Sequence, residues 1–166
     1  MQNISDASLH QLVEEIAQLL VKQQKQLVTA ESCTGGWVAK CCTDLAGSSA
    51  WFERGFVTYS NEAKIDELGV APATLDKNGA VSLSVVEEMA LGALAHSNAD
   101  MSVAITGIAG PEGGTTEKPV GTVWIGWAMQ NAGVHSICFQ FAGDRNTIRK
   151  QAVFEALTGI VKNARD

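Results

Sequence analysis

The stretch TAESCTGG, Thr29 to Gly36, decides how the chain is read. The apolar pair Leu27-Val28 leads into it as a strand does, and from Trp37 onward the composition turns helical. Between them Glu31, Ser32, Cys33 and Thr34 crowd polar and nucleophilic side chains into one turn, which Gly35 and Gly36 close. A serine on a strand–turn–helix corner has an exposed hydroxyl and unpaired backbone N–H groups beside it. The helix N-terminus there favours developing negative charge. The spacing is neither G-x-S-x-G nor the P-loop pattern, so two readings stand: Ser32 as nucleophile, or Ser32 or Thr34 as a helix cap.

On the N-terminal side, Leu9, Leu12, Val13, Ile16, Leu19 and Leu20 recur at helical spacing. They predict an amphipathic helix begun by Ser5 or Asp6 and ending near Gln24. On the C-terminal side a helix is expected from about Gly36 to Leu45, then a loop over 47–52 and a strand from Arg54 to Tyr59. Asn61 reads as the cap of a short helix, Glu62 to Leu68, and Pro72, Asn78 and Gly79 as turn markers. Ser84 with Glu87 has the form of a capping box, opening a helix with Val85, Val86, Met89, Ala93 and Leu94 on one face.

Met101 to Thr106 is a short apolar strand running into TGIAGPEGG, Thr106 to Gly114. The near-continuous apolar run Val123-Trp124-Ile125-Gly126-Trp127 predicts a strand, Val120 to about Ala128, buried on both faces. His135 to Phe141 alternates and should pair with it as an antiparallel hairpin. Asp144 caps a last long helix with Val153, Leu157, Ile160 and Val161 inward. The expected fold is α/β: a single three-layer α/β/α domain over 1–166, its mixed sheet including that late hairpin.

Composition narrows the function. The 166 residues are 46% hydrophobic and 18% charged, with a formal charge of −6 and no basic run, which argues against a nucleic-acid partner. Met1 to Asp6 has no cationic, then apolar, leader, and no run approaches the ~20 residues of a membrane span. Cys33, Cys41, Cys42 and Cys138 form no C-x-x-C and lie far from His10, His96 and His135, so no metal site is expected. Reduced thiols in a cytoplasmic protein are the simplest account.

Three post-strand loops carry residues that a purely structural loop does not need: 31–36, 58–64, and 106–114 with Lys118 to Gly121. If their strands are parallel, the loops meet beyond one sheet edge, where open α/β sheets hold ligands. Lys64, third in its helix after Asn61, sits where the helix dipole disfavours a cation. Desolvated, it would be a neutral general base for Ser32; solvated, it would pair with Glu62 or Asp66. Tyr59, the only tyrosine, could hand a hydrogen bond or proton to either, or simply end its strand. Cys33 is a rival nucleophile without a histidine in the loops to activate it. Thr106, Gly107 and Gly110, in a loop with glycines also at 113 and 114, could let backbone N–H groups approach an anion, or make a flexible turn. Arg145 could hold a phosphate with the helix N-terminus or pair with an acid.

Taken together, TAESCTGG, GSSAWFERGFVTYSNEAK (47–64), GIAGPEGG (107–114), KPVG (118–121) and GDR (143–145), in this order, resemble the CinA C-terminal domain family over about Leu9 to Leu157. The resemblance is to its short, stand-alone form, without the molybdopterin-binding-like domain of longer members. It implies a cytoplasmic, homodimeric amidohydrolase of pyridine-nucleotide recycling that needs no metal or cofactor. The small-molecule substrate it implies is nicotinamide mononucleotide, converted with water to nicotinic acid mononucleotide and ammonia. By motif, Ser32 would be the nucleophile, Lys64 the general base and Tyr59 their hydrogen-bonding partner. The turn at Thr34, Gly35 and Gly36 is then the expected oxyanion wall, with the 5′-phosphate against the glycine-rich loop or Arg145. Two alternatives remain: a nucleotide-binding regulatory domain without turnover, and an amidase for another nucleotide-like amide. For Glu31 the expectation is a buried, hydrogen-bonded carboxylate that orders the turn.

Overall fold

Five strands, β1 (Leu27–Glu31), β2 (Phe52–Val57), β3 (Met101–Gly107), β4 (Thr122–Met129) and β5 (Gly133–Gln140), form one sheet in the order β2-β1-β3-β4-β5. β2, β1 and β3 are parallel, and β4 and β5 are antiparallel to their neighbours. This computed structural model describes residues 4–165; Met1 to Asn3, part of the stretch read as leaderless, lie outside them. Among the described residues no helix is long and apolar enough to cross a membrane.

The helices are α1 (Asp6–Gln23), α2 (Trp37–Asp44), α3 (Asn61–Leu68), α4 (Pro72–Asn78), α5 (Leu83–Ala95) and α6 (Arg145–Arg165), with a 3₁₀ turn at Ser48–Ala50. The period-2 alternation of the strands sorts them into two layers. Leu27, Met101, Val103, Ile105, Val123, Ile125 and Trp127 face α1, α2 and α6. Val28, Ala30, Ala104 and Ala128 face α3, α4 and α5. The result is the expected three-layer α/β/α arrangement around a mixed sheet. β4 is buried on both faces, as its apolar run predicts, and pairs with β5 as the expected hairpin.

Three local readings are corrected. Pro72 to Asn78 is a helix, not a set of turns: Pro72 takes the first helical position, where its missing N–H costs nothing. Its cap comes from outside, because Glu88 of α5 accepts from the Ala71 N–H at 2.8 Å and the Thr74 hydroxyl at 2.6 Å. α5 starts two residues earlier than Ser84 implies, with the Ser82 hydroxyl accepting from the Val85 N–H. β2 runs from Phe52 to Val57, which leaves Tyr59 beyond the strand. α3 in turn is seated closely against α5 at Gly92, where a Cβ would lie 1.9 Å from the Leu68 carbonyl oxygen.

The topology prepares a site. The chain leaves β1 for α2 on one face of the sheet and leaves β2 for α3 on the other. The two adjacent parallel strands therefore part company at their C-terminal ends, which opens a crevice between them.

Candidate active site

Ser32 follows β1 directly and is held at both ends of its own backbone. Its N–H donates to the Ile105 carbonyl at 3.0 Å, and its carbonyl accepts from the Gly35 N–H at 3.1 Å. Gly35 and Gly36 turn the chain with φ of 62° and 91°, left-handed values that other residues rarely adopt. Gly36 is the N-cap of α2 and has no side chain to offer. Glu31 supplies the cap instead. Fully buried, its two carboxylate oxygens accept from the Val38 and Ala39 N–H groups at 2.9 and 3.0 Å. The turn-ordering carboxylate expected from sequence is thus a helix cap delivered from the strand before it. Glu31→Ala would leave the buried Val38 donor and the half-buried Ala39 donor unpaired and is expected to lower stability by about 3 kcal/mol. The check is a thermal unfolding midpoint falling by about 10 °C.

Lys64 reaches the same turn from α3. The helix is capped by Ser60, not Asn61: the Ser60 hydroxyl accepts from the Ala63 N–H at 3.0 Å, which makes Lys64 the fourth helical residue. Its side chain is 1% exposed, and no acid is paired with it among the described residues, so the solvated pairing with Glu62 or Asp66 does not occur. Lys64 Nζ donates to the carbonyls of Thr58 at 2.8 Å, Tyr59 at 3.3 Å and, more distantly, Ser60 at 3.5 Å, and lies 3.1 Å from Ser32 Oγ. A neutral amine has two N–H groups and one lone pair. With the two N–H groups on the two nearer carbonyls, the lone pair is left for the serine hydroxyl. Burial holds the Lys64 pKa below the ordinary lysine value, against a smaller opposing contribution from Cys33. Cys33 itself is no rival: burial pushes its thiol up to about 12, so it carries negligible thiolate at neutral pH.

The pair opens into a cavity of about 230 Å³. Thr106, Gly107 and Ala109 form its wall from the third loop, and Ala80 and Val81 close it from the α4–α5 connection. The Thr106 hydroxyl donates to the Ala80 carbonyl at 2.9 Å and ties these two walls together. Arg145, the first residue of α6, stands at the rim with Nη1 donating to the Gly110 carbonyl at 2.7 Å. No acid lines the cavity, so its field is cationic although the whole chain is acidic.

Two expectations change. The Tyr59 side chain is 64% exposed, and its hydroxyl accepts from Arg145 Nη2 at 3.4 Å; it does not meet Ser32 or Lys64, which uses the Tyr59 main-chain carbonyl. Thr34, Gly35 and Gly36 do not line the Ser32 cavity. They form part of a second cavity of about 730 Å³ on the far side of the turn, between α1, α2 and α6. Sequence reading also missed Arg149, whose guanidinium grips this turn from α6. Its position four residues after Arg145, hence one helical turn along the same face, was the available signal. Among the described residues no three His, Cys, Asp or Glu side chains converge as metal ligands would.

The CinA C-terminal domain family model matches residues 9–164. The nicotinamide-nucleotide amidohydrolase PncC of Escherichia coli strain K12 is 55% identical over 154 residues, 93% of each chain. The protein of the same description from Enterobacter agglomerans is 53% identical over 164 residues, 96% of this chain and all of that one. Among solved structures, competence/damage inducible protein CihA of Agrobacterium tumefaciens superposes with a TM-score of 0.93 at 42% identity, covering 96% of both chains.

Proposed function

We propose that this chain, which belongs to the CinA C-terminal domain family, hydrolyses the carboxamide of nicotinamide mononucleotide to nicotinic acid mononucleotide and ammonia. The observation that carries the reading is the buried Lys64 Nζ, 3.1 Å from Ser32 Oγ at the floor of an acid-free cavity. The amidohydrolase description of relatives at 53–55% identity supports the same substrate.

In the proposed reaction, neutral Lys64 takes the Ser32 proton while Oγ bonds to the carboxamide carbon. Backbone N–H groups after Ser32 accept the charge that develops on the carbonyl oxygen. The C–N bond breaks as Lys64 returns its proton to the leaving nitrogen, releasing ammonia and leaving an acyl-serine. A water molecule then gives a proton to Lys64 and its oxygen to the acyl carbon. The Oγ–carbon bond breaks, and Lys64 reprotonates Ser32. The balance is one amide and one water in, one acid and one ammonia out.

Arg145 is the proposed phosphate contact, presented at the rim by the Gly110 carbonyl and carrying Tyr59 beside it. In this reading Tyr59 serves at the mouth, not in proton transfer. Arg145→Ala is expected to raise KM for nicotinamide mononucleotide about 10- to 100-fold with kcat nearly unchanged, the loss of one charge-assisted contact. The homodimer, the cytoplasmic setting and the place in pyridine-nucleotide recycling belong to the same proposal, as does a single amidohydrolase domain over 1–166.

The test is ammonia release from nicotinamide mononucleotide, with nicotinamide riboside and free nicotinamide as comparison amides. Turnover of the mononucleotide well above the other two is the expected result. Nucleotide binding without ammonia release would overturn hydrolysis in favour of a regulatory binder. Equal turnover of the riboside would overturn the phosphate role of Arg145.

A further inference from the structure

Arg149 stands outside the Ser32 cavity yet makes the closest side-chain contacts to the turn that carries Ser32. Its Nε donates to the Cys33 carbonyl at 3.0 Å and its Nη2 to the Thr34 carbonyl at 2.9 Å. The guanidinium carbon lies 5.2 Å from the centroid of the Trp37 ring, so the fork is stacked as well as hydrogen-bonded. These two carbonyls belong to the two successive peptide groups between Cys33 and Gly35. Nothing else in the proposed reaction uses this arginine.

In a trans peptide the C=O and N–H point in opposite directions. A Cys33 carbonyl drawn towards Arg149 therefore turns the Thr34 N–H away from that guanidinium. The next peptide group is accounted for: Arg149 takes the Thr34 carbonyl, and the Gly35 N–H closes on the Ser32 carbonyl. The Thr34 N–H donates to no acceptor among the described residues. A cation on the carbonyl end of a peptide also polarises its N–H and makes it a stronger donor.

We infer that Arg149 is a positioning residue for the amide hydrolysis proposed above: it fixes the Cys33–Thr34 peptide so that the Thr34 N–H is held ready for the oxyanion formed on Ser32. Thr34 and the glycines line the rear cavity, and in this inference the peptide that follows Cys33, itself a lining residue of the front cavity, serves the front one. The inference rests on the amidohydrolase reading and assigns the orienting force to a helix that sequence reading connected only with phosphate.

Arg149→Met and Arg149→Lys test it, each measured beside the wild type for kcat, KM, thermal midpoint and inhibition by pyridine-3-boronic acid, a probe that becomes a tetrahedral oxyanion when it bonds to serine. Losing the orientation of one oxyanion donor should lower kcat about 10- to 100-fold in Arg149→Met, with KM for nicotinamide mononucleotide within about twofold. Boronic acid inhibition should weaken by a similar factor, and Arg149→Lys, which keeps the charge and one carbonyl contact, should recover part of both. A purely structural arginine would lower the midpoint but leave boronic acid affinity of the folded fraction unchanged, and that result overturns the inference. So does an Arg149→Met enzyme with kcat within twofold of wild type. A wild type that releases no ammonia from the mononucleotide overturns the amidohydrolase reading, and this inference with it.

Discussion

Ser32→Ala is expected to lower ammonia release from nicotinamide mononucleotide by about 10⁴-fold or more, the scale on which removing a nucleophile from a coupled unit acts. The fold should survive. The deleted atom meets Lys64 Nζ, while the backbone of residue 32 keeps its bonds to Ile105 and Gly35. One lost side-chain hydrogen bond corresponds to about 1 kcal/mol, or a fall of about 3 °C in the thermal midpoint. A folded Ser32→Ala protein with near-normal turnover would remove Ser32 from the chemistry.

Lys64→Met should cost about 10³-fold in kcat, within the range for loss of a general base, while filling nearly the same buried volume. It also has a pH signature. Only the unprotonated amine can take the serine proton, so wild-type kcat/KM should rise with pH through the Lys64 pKa, which burial sets below the ordinary lysine value. Stability has the same sign. Between the folded pKa and the unfolded value near ~10.4, the unfolded chain binds a proton that the folded one does not. Stability from this group therefore climbs with pH across that window and is flat above it. In Lys64→Met both slopes should vanish. A variant within tenfold of wild-type turnover at neutral pH would overturn the base assignment.

Local chemistry explains which parts of the molecule were legible from residues alone. The Ser5 and Asp144 caps, the period of α1 and the doubly apolar run of β4 each depend on neighbours in sequence, and all are where those neighbours imply. α4 was hidden because its cap, Glu88, sits 17 residues beyond the Ala71 N–H that it accepts from. The Ser32–Lys64 pairing could be expected because parallel strands bring their following loops to one edge, and β1 and β2 are parallel. Which way a turn faces could not. Thr34 to Gly36 lie within four residues of Ser32 but look into another cavity, because Glu31 draws the start of α2 inward and Arg149 draws the carbonyls outward. Tyr59 was misplaced for a similar reason: it is the backbone of residue 59 that turns to Lys64, leaving the ring to Arg145.

α6 has a consequence for the order in which the protein matures. It carries Arg145 and Arg149, and its Ile148, Ala152, Val153, Ala156, Leu157 and Ile160 cover one face of the sheet. A nascent chain emerging N-terminus first has all five strands, Ser32 and Lys64 in hand before any of this helix exists. At that stage the sheet face is bare, the Ser32 turn has no Arg149 clamp and the cavity has no Arg145 at its rim. On the proposed function, activity would wait until the last helix has docked, so a ribosome-stalled chain ending near residue 144 should release no ammonia from nicotinamide mononucleotide although Ser32 and Lys64 have been translated.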